Sequence, residues 1–277
     1  EIVDGPGTIG QIGGESMSQL VREARLDPEI KAVVLRINSP GGSALASDVI
    51  WREIILTKAV KPVVVSMGDV AASGGYYIAC AADKIYAQPN TITGSIGVFG
   101  VIPYTGDLLK NKLGVTIDRV QTNEHSIMSM NKKLTTEEYD IIQMGVDDIY
   151  HDFISKVGEG RQMTSAAVDS IGQGRVWAGS DAISIGLVDE FGGINTAILD
   201  AAQRVNIAET DIKVKIYTTA KTDKLMKLVE AMESGEEASL SINSEFQTKL
   251  MEMYHYVKLV ENNQGIQARL PYLYWIE

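Results

Sequence analysis

The sequence has a single cysteine, Cys80, and only three histidines among its 277 residues. One cysteine cannot form an internal disulfide, so the fold cannot depend on oxidation. The immediate neighbours of Cys80 are apolar and include no histidine or lysine. This setting favours a small core residue over a nucleophile.

The sequence also lacks an apolar run long enough to cross a bilayer, and it shows no signal peptide. It begins at Glu1 with a first strand that is cut short, so we expect a fragment whose membrane anchor, if there is one, lies upstream. Acidic residues outnumber basic ones, 36 to 25, and the formal net charge is −11. This charge argues against binding to nucleic acid and against a polybasic membrane-binding surface.

Hydrophobic residues make up 45% of the chain, which is enough for a sizeable core. Predicted strands and helices alternate along residues 1–217, and this alternation is typical of an α/β fold with a mainly parallel sheet. The predicted strands include residues 95–102, 115–120 and 212–217. Beyond them the composition changes to amphipathic stretches separated by a polar segment, so we expect a helical C-terminal extension over residues 218–277.

The residues that suggest a catalytic site lie in the stretch 61–77, which reads KPVVVSMGDVAASGGYY. A buried strand opens this stretch, small residues follow, and a helix comes next. Ser73 therefore lies where a strand turns into a helix, with little side-chain bulk around it. A nucleophilic serine needs this setting, because a substrate carbonyl must approach its hydroxyl and the backbone closely. A buried serine at a packing site between small residues is the alternative.

A second predicted strand leads into a glycine-rich loop, and residues 32–43 read AVVLRINSPGGS. Gly41 and Gly42 can present free backbone N–H groups at low steric cost. We expect an N–H group of Gly41 or Gly42, together with that of Gly74, to form an oxyanion hole beside Ser73. The two loops together favour an acyl-transfer site.

Three motifs, INSPGGS, MGDVAASGGYY and TGSIGVFGV at residues 93–101, resemble the signal peptide peptidase A family of the bacterial cell envelope. This family shares the glycine-loop oxyanion hole with the Clp protease and crotonase folds. The resemblance implies an α/β fold of repeated ββα units. It also implies a serine endopeptidase that degrades cleaved signal peptides at the bacterial membrane, outside the cytoplasm. Such an enzyme uses no cofactor and no metal, and it assembles into a homo-oligomeric ring, a tetramer in the long members.

A histidine that could serve as the general base is not identified by the sequence. His151 and His255 fall in predicted helical stretches, where we expect ordinary surface or interface residues, and His125 falls in an irregular loop without an identifiable acidic residue to orient it. Clp-type proteases carry their histidine in a His-Gln-Pro motif, whereas the similar position here is Ala87. We therefore do not expect a Ser-His-Asp triad.

The resembling family uses a serine–lysine dyad instead. Its short members carry the lysine directly after the strand that matches residues 115–120, where this sequence has Thr122 and its polar neighbours. Lys132 and Lys133 come later, just before a predicted helix cap, and an exposed ammonium there stays protonated. The general-base lysine is therefore not found in this chain.

The long members of the family contain two tandem copies of the fold, with the lysine in the first copy and the serine in the second. The resemblance thus implies that this chain is the C-terminal copy and that its base comes from the upstream repeat. Ser95, in the third motif, then resembles the second serine that orients the lysine amine. A turn serine before a strand is the alternative reading of Ser95.

Two other functions fit the glycine loops. A crotonase-like acyl-CoA enzyme would use the same oxyanion hole on a thioester, without a nucleophile. Asp69 is a possible carboxylate for it, but the loops show no basic cluster for the CoA phosphates. A non-catalytic scaffold copy of the fold is the other alternative, and the intact Ser73 counts against it.

Overall fold

The computed structural model describes residues 1–218, except residues 9, 124, 127 and 128. The described residues belong to one compact unit of the chain. The predicted C-terminal helical extension lies outside the described residues, apart from its first residue.

The described residues form a six-stranded sheet and a separate two-stranded ladder. The strands are β1 (Ile2–Val3), β2 (Ile12–Gly13), β3 (Val33–Ser39), β4 (Val63–Ala72), β5 (Lys84–Ala87), β6 (Ile92–Gly94), β7 (Val176–Ala178) and β8 (Glu190–Phe191). In the larger sheet the order is β7-β6-β4-β5-β8, with β3 also paired to β4. Among the described strands, only the β6–β7 pair of this sheet is antiparallel. The predicted α/β fold with a mainly parallel sheet is confirmed.

Helices connect most of these strands, as parallel pairing requires. The helices in the described part of the chain are α1 (Gly14–Leu26), α2 (Ala44–Lys58), α3 (Gly74–Ala79), α4 (Gly106–Lys112), α5 (Thr136–Arg161), α6 (Ser165–Ile171), α7 (Gly179–Ser184) and α8 (Ile194–Arg204). Ser43 caps α2 by accepting a hydrogen bond from the backbone of Ala46. Within the described ranges, no helix combines the length and the apolar character needed to cross a membrane.

The central strand β4 positions the site at its carboxyl end. β3 pairs along one edge of β4, while β5 and then β6 pair along the other edge. A strand with neighbours on both edges and layers on both faces is buried over most of its length and is therefore rich in apolar residues. Val63, Val64 and Val65 accordingly have exposures of 1% or less. α2, α3 and α5 contribute to the core on one face of the sheet, and α8 covers Val64 and Tyr86 on the other.

Three of the predicted strands are wrong, because the described residues hold no strand at 95–102, 115–120 or 212–217. Ser95 takes a φ of 48°, which ends the extended run after β6. Alternating apolar residues favour a strand, but the backbone N–H and C=O groups of a strand need a neighbouring strand to pair with. In the described part of the chain no strand pairs with these three segments.

The environment of Cys80 leads to a test of the core. The side chain is fully buried, its thiol donates to the carbonyl of Tyr77, and burial raises the pKa of the thiol to about 12. We expect no reaction with a disulfide reagent such as Ellman's reagent at pH 8 in the folded protein, and one equivalent of reaction in guanidinium chloride. Rapid reaction of the native protein would show that this part of the core is open.

Candidate active site

Ser73 lies at a strained turn between β4 and α3. Its backbone takes φ 51° and ψ −119°, a conformation that a residue with a side chain rarely adopts. The turn is held at both ends: the N–H of Ser73 donates to the carbonyl of Gly94 at 2.9 Å, and its carbonyl accepts from the N–H of Tyr77 at 2.9 Å. The side chain is half-buried, and its hydroxyl makes no hydrogen bond to the described residues. The strand-to-helix setting predicted for Ser73 is therefore present.

The glycine loop after β3 touches the Ser73 turn directly. A Cβ atom added at Gly41 would lie 2.6 Å from the backbone nitrogen of Gly74 and 2.9 Å from the Cβ of Ser73. A Cβ added at Gly74 would lie 3.3 Å from the nitrogen of Gly42. Gly41 and Gly42 also have φ values of 103° and 149°, in the region that favours glycine. The structure thus brings together the four residues that the sequence proposed for nucleophile and oxyanion hole.

Hydrogen bonds within the loop determine which N–H groups remain free. The N–H of Gly41 donates to the hydroxyl of Ser39 at 3.1 Å. Ile2 bridges the loop from β1, since its N–H donates to the carbonyl of Gly41 at 2.8 Å and its carbonyl accepts from Ser43 at 2.9 Å. This bridge passes over Gly42, whose N–H has no partner among the described residues. Gly42 is therefore the donor that the loop leaves free.

The N–H of Gly74 also has no partner among the described residues, because the first residue of a helix has no carbonyl one turn earlier to bond. Gly42 and Gly74 thus supply two unpaired N–H groups from two loops in contact. The sequence patterns did not predict that Ile2 and Ser39 hold the glycine loop in place by hydrogen bonds. The bond to Ile2 joins residues distant in sequence, and no local pattern signals it.

Ser95 lies beside the Ser73 turn on the neighbouring strand. Gly94, directly before it, pairs in register with Ala72, directly before Ser73. The N–H of Ser95 donates to the carbonyl of Arg175 at 2.7 Å, and its side chain is half-buried. Two serines therefore follow the ends of adjacent parallel strands, each with a positive φ.

The two candidate lysines of the loop before α5 contact carboxylates, and the candidate histidine lies near one of these carboxylates. Lys132 lies 2.5 Å from Glu138, a fully buried carboxylate, and this bond is the main reason that the pKa of Glu138 is lowered. His125 lies 3.7 Å from the same carboxylate, and Lys133 lies 3.5 Å from Asp107. None of the three has a polar contact with Ser73.

The remaining candidates that the structure describes have no polar contact with Ser73. His151 lies exposed on α5, and His255 falls outside the described residues. Ala87, at the position similar to the Clp histidine, is buried in β5. Asp69 is exposed near the end of β4.

The contact between the loops leads to a test of their geometry. Gly41→Ala should lower the free energy of unfolding by about 2 kcal/mol or more, because its new methyl group meets backbone atoms that cannot move separately. Gly10→Ala is a matched control: Gly10 also has a positive φ, 80°, but open space around it. Gly10→Ala should lower the free energy of unfolding only by the strain of that backbone conformation, about 1 kcal/mol. Equal losses in urea-induced unfolding would contradict the close approach at Gly41.

Comparison with known proteins agrees with this geometry. The family model described as peptidase family S49 matches residues 55–208, and the model of the Clp protease matches residues 11–96. The Clp match confirms the predicted Clp-like fold class.

Curated relatives cover most of the chain. It is 45% identical over 209 residues to Protease 4 of Salmonella typhi and 42% identical over 244 residues to Protease 4 of Haemophilus influenzae. It is 38% identical over 203 residues to the putative signal peptide peptidase SppA of Enterococcus faecium. These matches cover 75%, 86% and 72% of this chain, but only 34%, 40% and 58% of the respective relatives.

The chain thus spans less than two thirds of the length of these relatives. The resemblance drawn from the three motifs is confirmed, and it is a resemblance to serine peptidases. With the family model matching more than half of its residues, the chain belongs to peptidase family S49.

Proposed function

We propose that this chain carries the nucleophile and the oxyanion hole of a serine endopeptidase with a serine–lysine dyad. Ser73 is the nucleophile, and the Gly41–Gly42 loop and Gly74 form the oxyanion hole. The observation that carries this proposal is the contact between the glycine loop and the Ser73 turn, which leaves the N–H groups of Gly42 and Gly74 unpaired beside one hydroxyl.

The reaction follows from these groups. The Ser73 oxygen attacks the carbonyl carbon of a peptide bond and gives its proton to a neutral lysine amine. The negative charge moves onto the carbonyl oxygen, where the N–H groups of Gly42 and Gly74 stabilise it. The lysine then protonates the leaving amine, the C–N bond breaks, and an acyl-enzyme remains. Water hydrolyses this ester in a second attack that uses the same base and the same N–H groups.

The lysine comes from another copy of the fold in this proposal. Lys132 and Lys133 contact carboxylates, and neither they nor His125 has a polar contact with Ser73 among the described residues. A serine hydroxyl without a base is a poor nucleophile at neutral pH. The incoming amine must be desolvated to lose its proton, which an interface between copies provides. Ser95, on the strand end next to Ser73, would hold that amine by a hydrogen bond.

An exposed apolar segment offers a surface for the second copy. The chain from residue 99 to residue 120 includes Phe99 at 86% exposure, Val101 at 80%, Leu113 at 63% and Val120 at 96%. Exposed apolar groups that are this concentrated mark a site of association. The segment begins four residues after Ser95, so a copy that docks against its start would lie near the serines. A closed ring is the assembly that we expect from such repeated contacts, a tetramer in the two-copy form.

The proposed substrates are cleaved signal peptides at the bacterial cell envelope, with an anchor upstream of this chain. The name of the Enterococcus faecium relative supports this substrate class. Small residues surround Ser73, and free backbone at the strand ends can pair with an extended peptide with little dependence on its sequence. An apolar, extended segment fits this setting, and nucleic acid does not fit a net charge of −11.

Covalent labelling tests the nucleophile. A fluorophosphonate probe should label the complete protein at Ser73 and should not label the Ser73→Ala variant, because the phosphorus–oxygen bond forms there while fluoride leaves. Ser184→Ala, which removes an exposed hydroxyl on α7, is the control and should label like the wild type. A crotonase-like enzyme or a scaffold copy would show no labelling that depends on Ser73. Full peptidase activity in Ser73→Ala would refute the assignment.

Assembly tests the origin of the base. Residues 1–277 alone should show no serine-dependent peptidase activity, and activity should appear when the upstream copy is added or expressed with them. A lysine-to-alanine variant of that copy should fail to restore activity. Robust activity of the isolated chain would contradict the proposal, and alanine substitutions at His125, Lys132 and Lys133 would then identify the base.

A further inference from the structure

A closed triangle of polar groups lies next to the site and takes no direct part in the proposed reaction. The hydroxyl of Tyr77 donates to the carboxylate of Asp48 at 2.9 Å. The amine of Lys156 donates to the same carboxylate oxygen at 2.7 Å and to the hydroxyl of Tyr77 at 2.9 Å. Each group therefore bonds both of the others.

The triangle joins the two helices that begin at the two halves of the site. Asp48 lies in α2, which begins directly after the glycine loop and its cap, Ser43. Tyr77 lies in α3, and its backbone N–H makes the bond that closes the Ser73 turn. Lys156 lies in α5 and connects to both. Movement of α2 away from α3 would break the triangle and would also separate Gly41 from Gly74.

Aromatic packing holds the triangle rigid. The Tyr77 ring lies 4.7 Å from that of Phe153 and 6.4 Å from that of Trp51, centroid to centroid. The amine of Lys156 lies 4.8 Å from the centroid of the Trp51 ring. Tyr77 is 5% exposed, so its hydroxyl cannot exchange its partners for water at low cost.

The electrostatics exclude a second role for the lysine as a base. Burial disfavours the charged amine of Lys156, but the hydrogen bonds to Asp48 and Tyr77 outweigh it and raise the pKa of Lys156. The pKa of the Tyr77 hydroxyl is also raised, in this case by burial itself. The lysine therefore stays charged and the tyrosine neutral at physiological pH, which is the opposite of what a serine–lysine dyad requires.

We propose that Tyr77 is a positioning residue: through Asp48 and Lys156 it fixes α2 against α3, so that the Gly42 and Gly74 N–H groups converge beside Ser73. This inference rests on the proposed function of Ser73. In this proposal the triangle aligns the site and does not contact the substrate.

The chain offers a matched control in the adjacent residue. Tyr76 lies in the same helix, is fully buried, and donates from its hydroxyl to the carbonyl of Leu187 at 2.9 Å. Tyr76→Phe and Tyr77→Phe thus each remove one buried hydroxyl from α3. Only the second removes a bond to α2.

Both variants are to be compared in the complete protein, with fluorophosphonate labelling rates and peptide hydrolysis measured well below the unfolding temperature. Tyr77→Phe should slow labelling and lower kcat by about tenfold with KM little changed, because small misplacements of reacting groups are costly. Tyr76→Phe should retain both rates within about twofold, whatever stability it loses. A purely structural role for Tyr77 would give the two variants the same rates.

A conservative substitution of Asp48 separates its role in aligning α2 and α3 from its contribution to packing. Asp48→Asn keeps an oxygen that accepts from Tyr77 and should retain more activity than Asp48→Ala. Wild-type labelling together with equal rates in Tyr77→Phe and Tyr76→Phe would overturn this inference alone. If the wild-type assembly were not labelled at Ser73 at all, both this inference and the proposed function would be overturned.

Discussion

The site depends on one contact between two loops that have no room for side chains. The glycine loop after β3 and the turn at Ser73 approach so closely that a single methyl group at Gly41 would meet the backbone of Gly74 at 2.6 Å. The close approach that requires glycine at this contact also brings together the two backbone N–H groups of the proposed oxyanion hole.

The rest of the described fold holds that contact from several sides. The sheet places Ala72 opposite Gly94, so the strained Ser73 turn is anchored through its own N–H. β1 reaches over the glycine loop and engages the carbonyl of Gly41. The triangle around Tyr77 joins the two helices behind the loops. A strained backbone persists only when its surroundings determine it in this way.

Local patterns in the sequence predicted the elements whose structure depends mainly on residues close together in the chain. The run of β-branched residues at 63–65 predicted the buried start of β4, and the helix cap predicted just after Lys133 is the capping box that Thr135 and Glu138 form at the start of α5. The small residues around Ser73 predicted the turn between β4 and α3. Each of these signals lies within a few residues of the feature it predicts.

Features that depend on distant partners could not be predicted in this way. The segments 95–102 and 115–120 have the composition of strands but lack a neighbour to pair with among the described residues. The bond between Ile2 and Gly41 and the triangle of Asp48, Tyr77 and Lys156 join residues far apart in the chain. The three motifs indicated where the chemistry lies, but the free donor of the glycine loop became identifiable only from the hydrogen bond between Gly41 and Ser39.

The most direct test of this account is an experimental structure of the assembled enzyme with a peptide aldehyde or fluorophosphonate bound covalently to Ser73. The account predicts that the oxyanion of the adduct lies about 2.7–3.1 Å from the backbone nitrogens of both Gly42 and Gly74. An oxyanion that faces solvent, or one that contacts the nitrogen of Gly41 instead of that of Gly42, would contradict it.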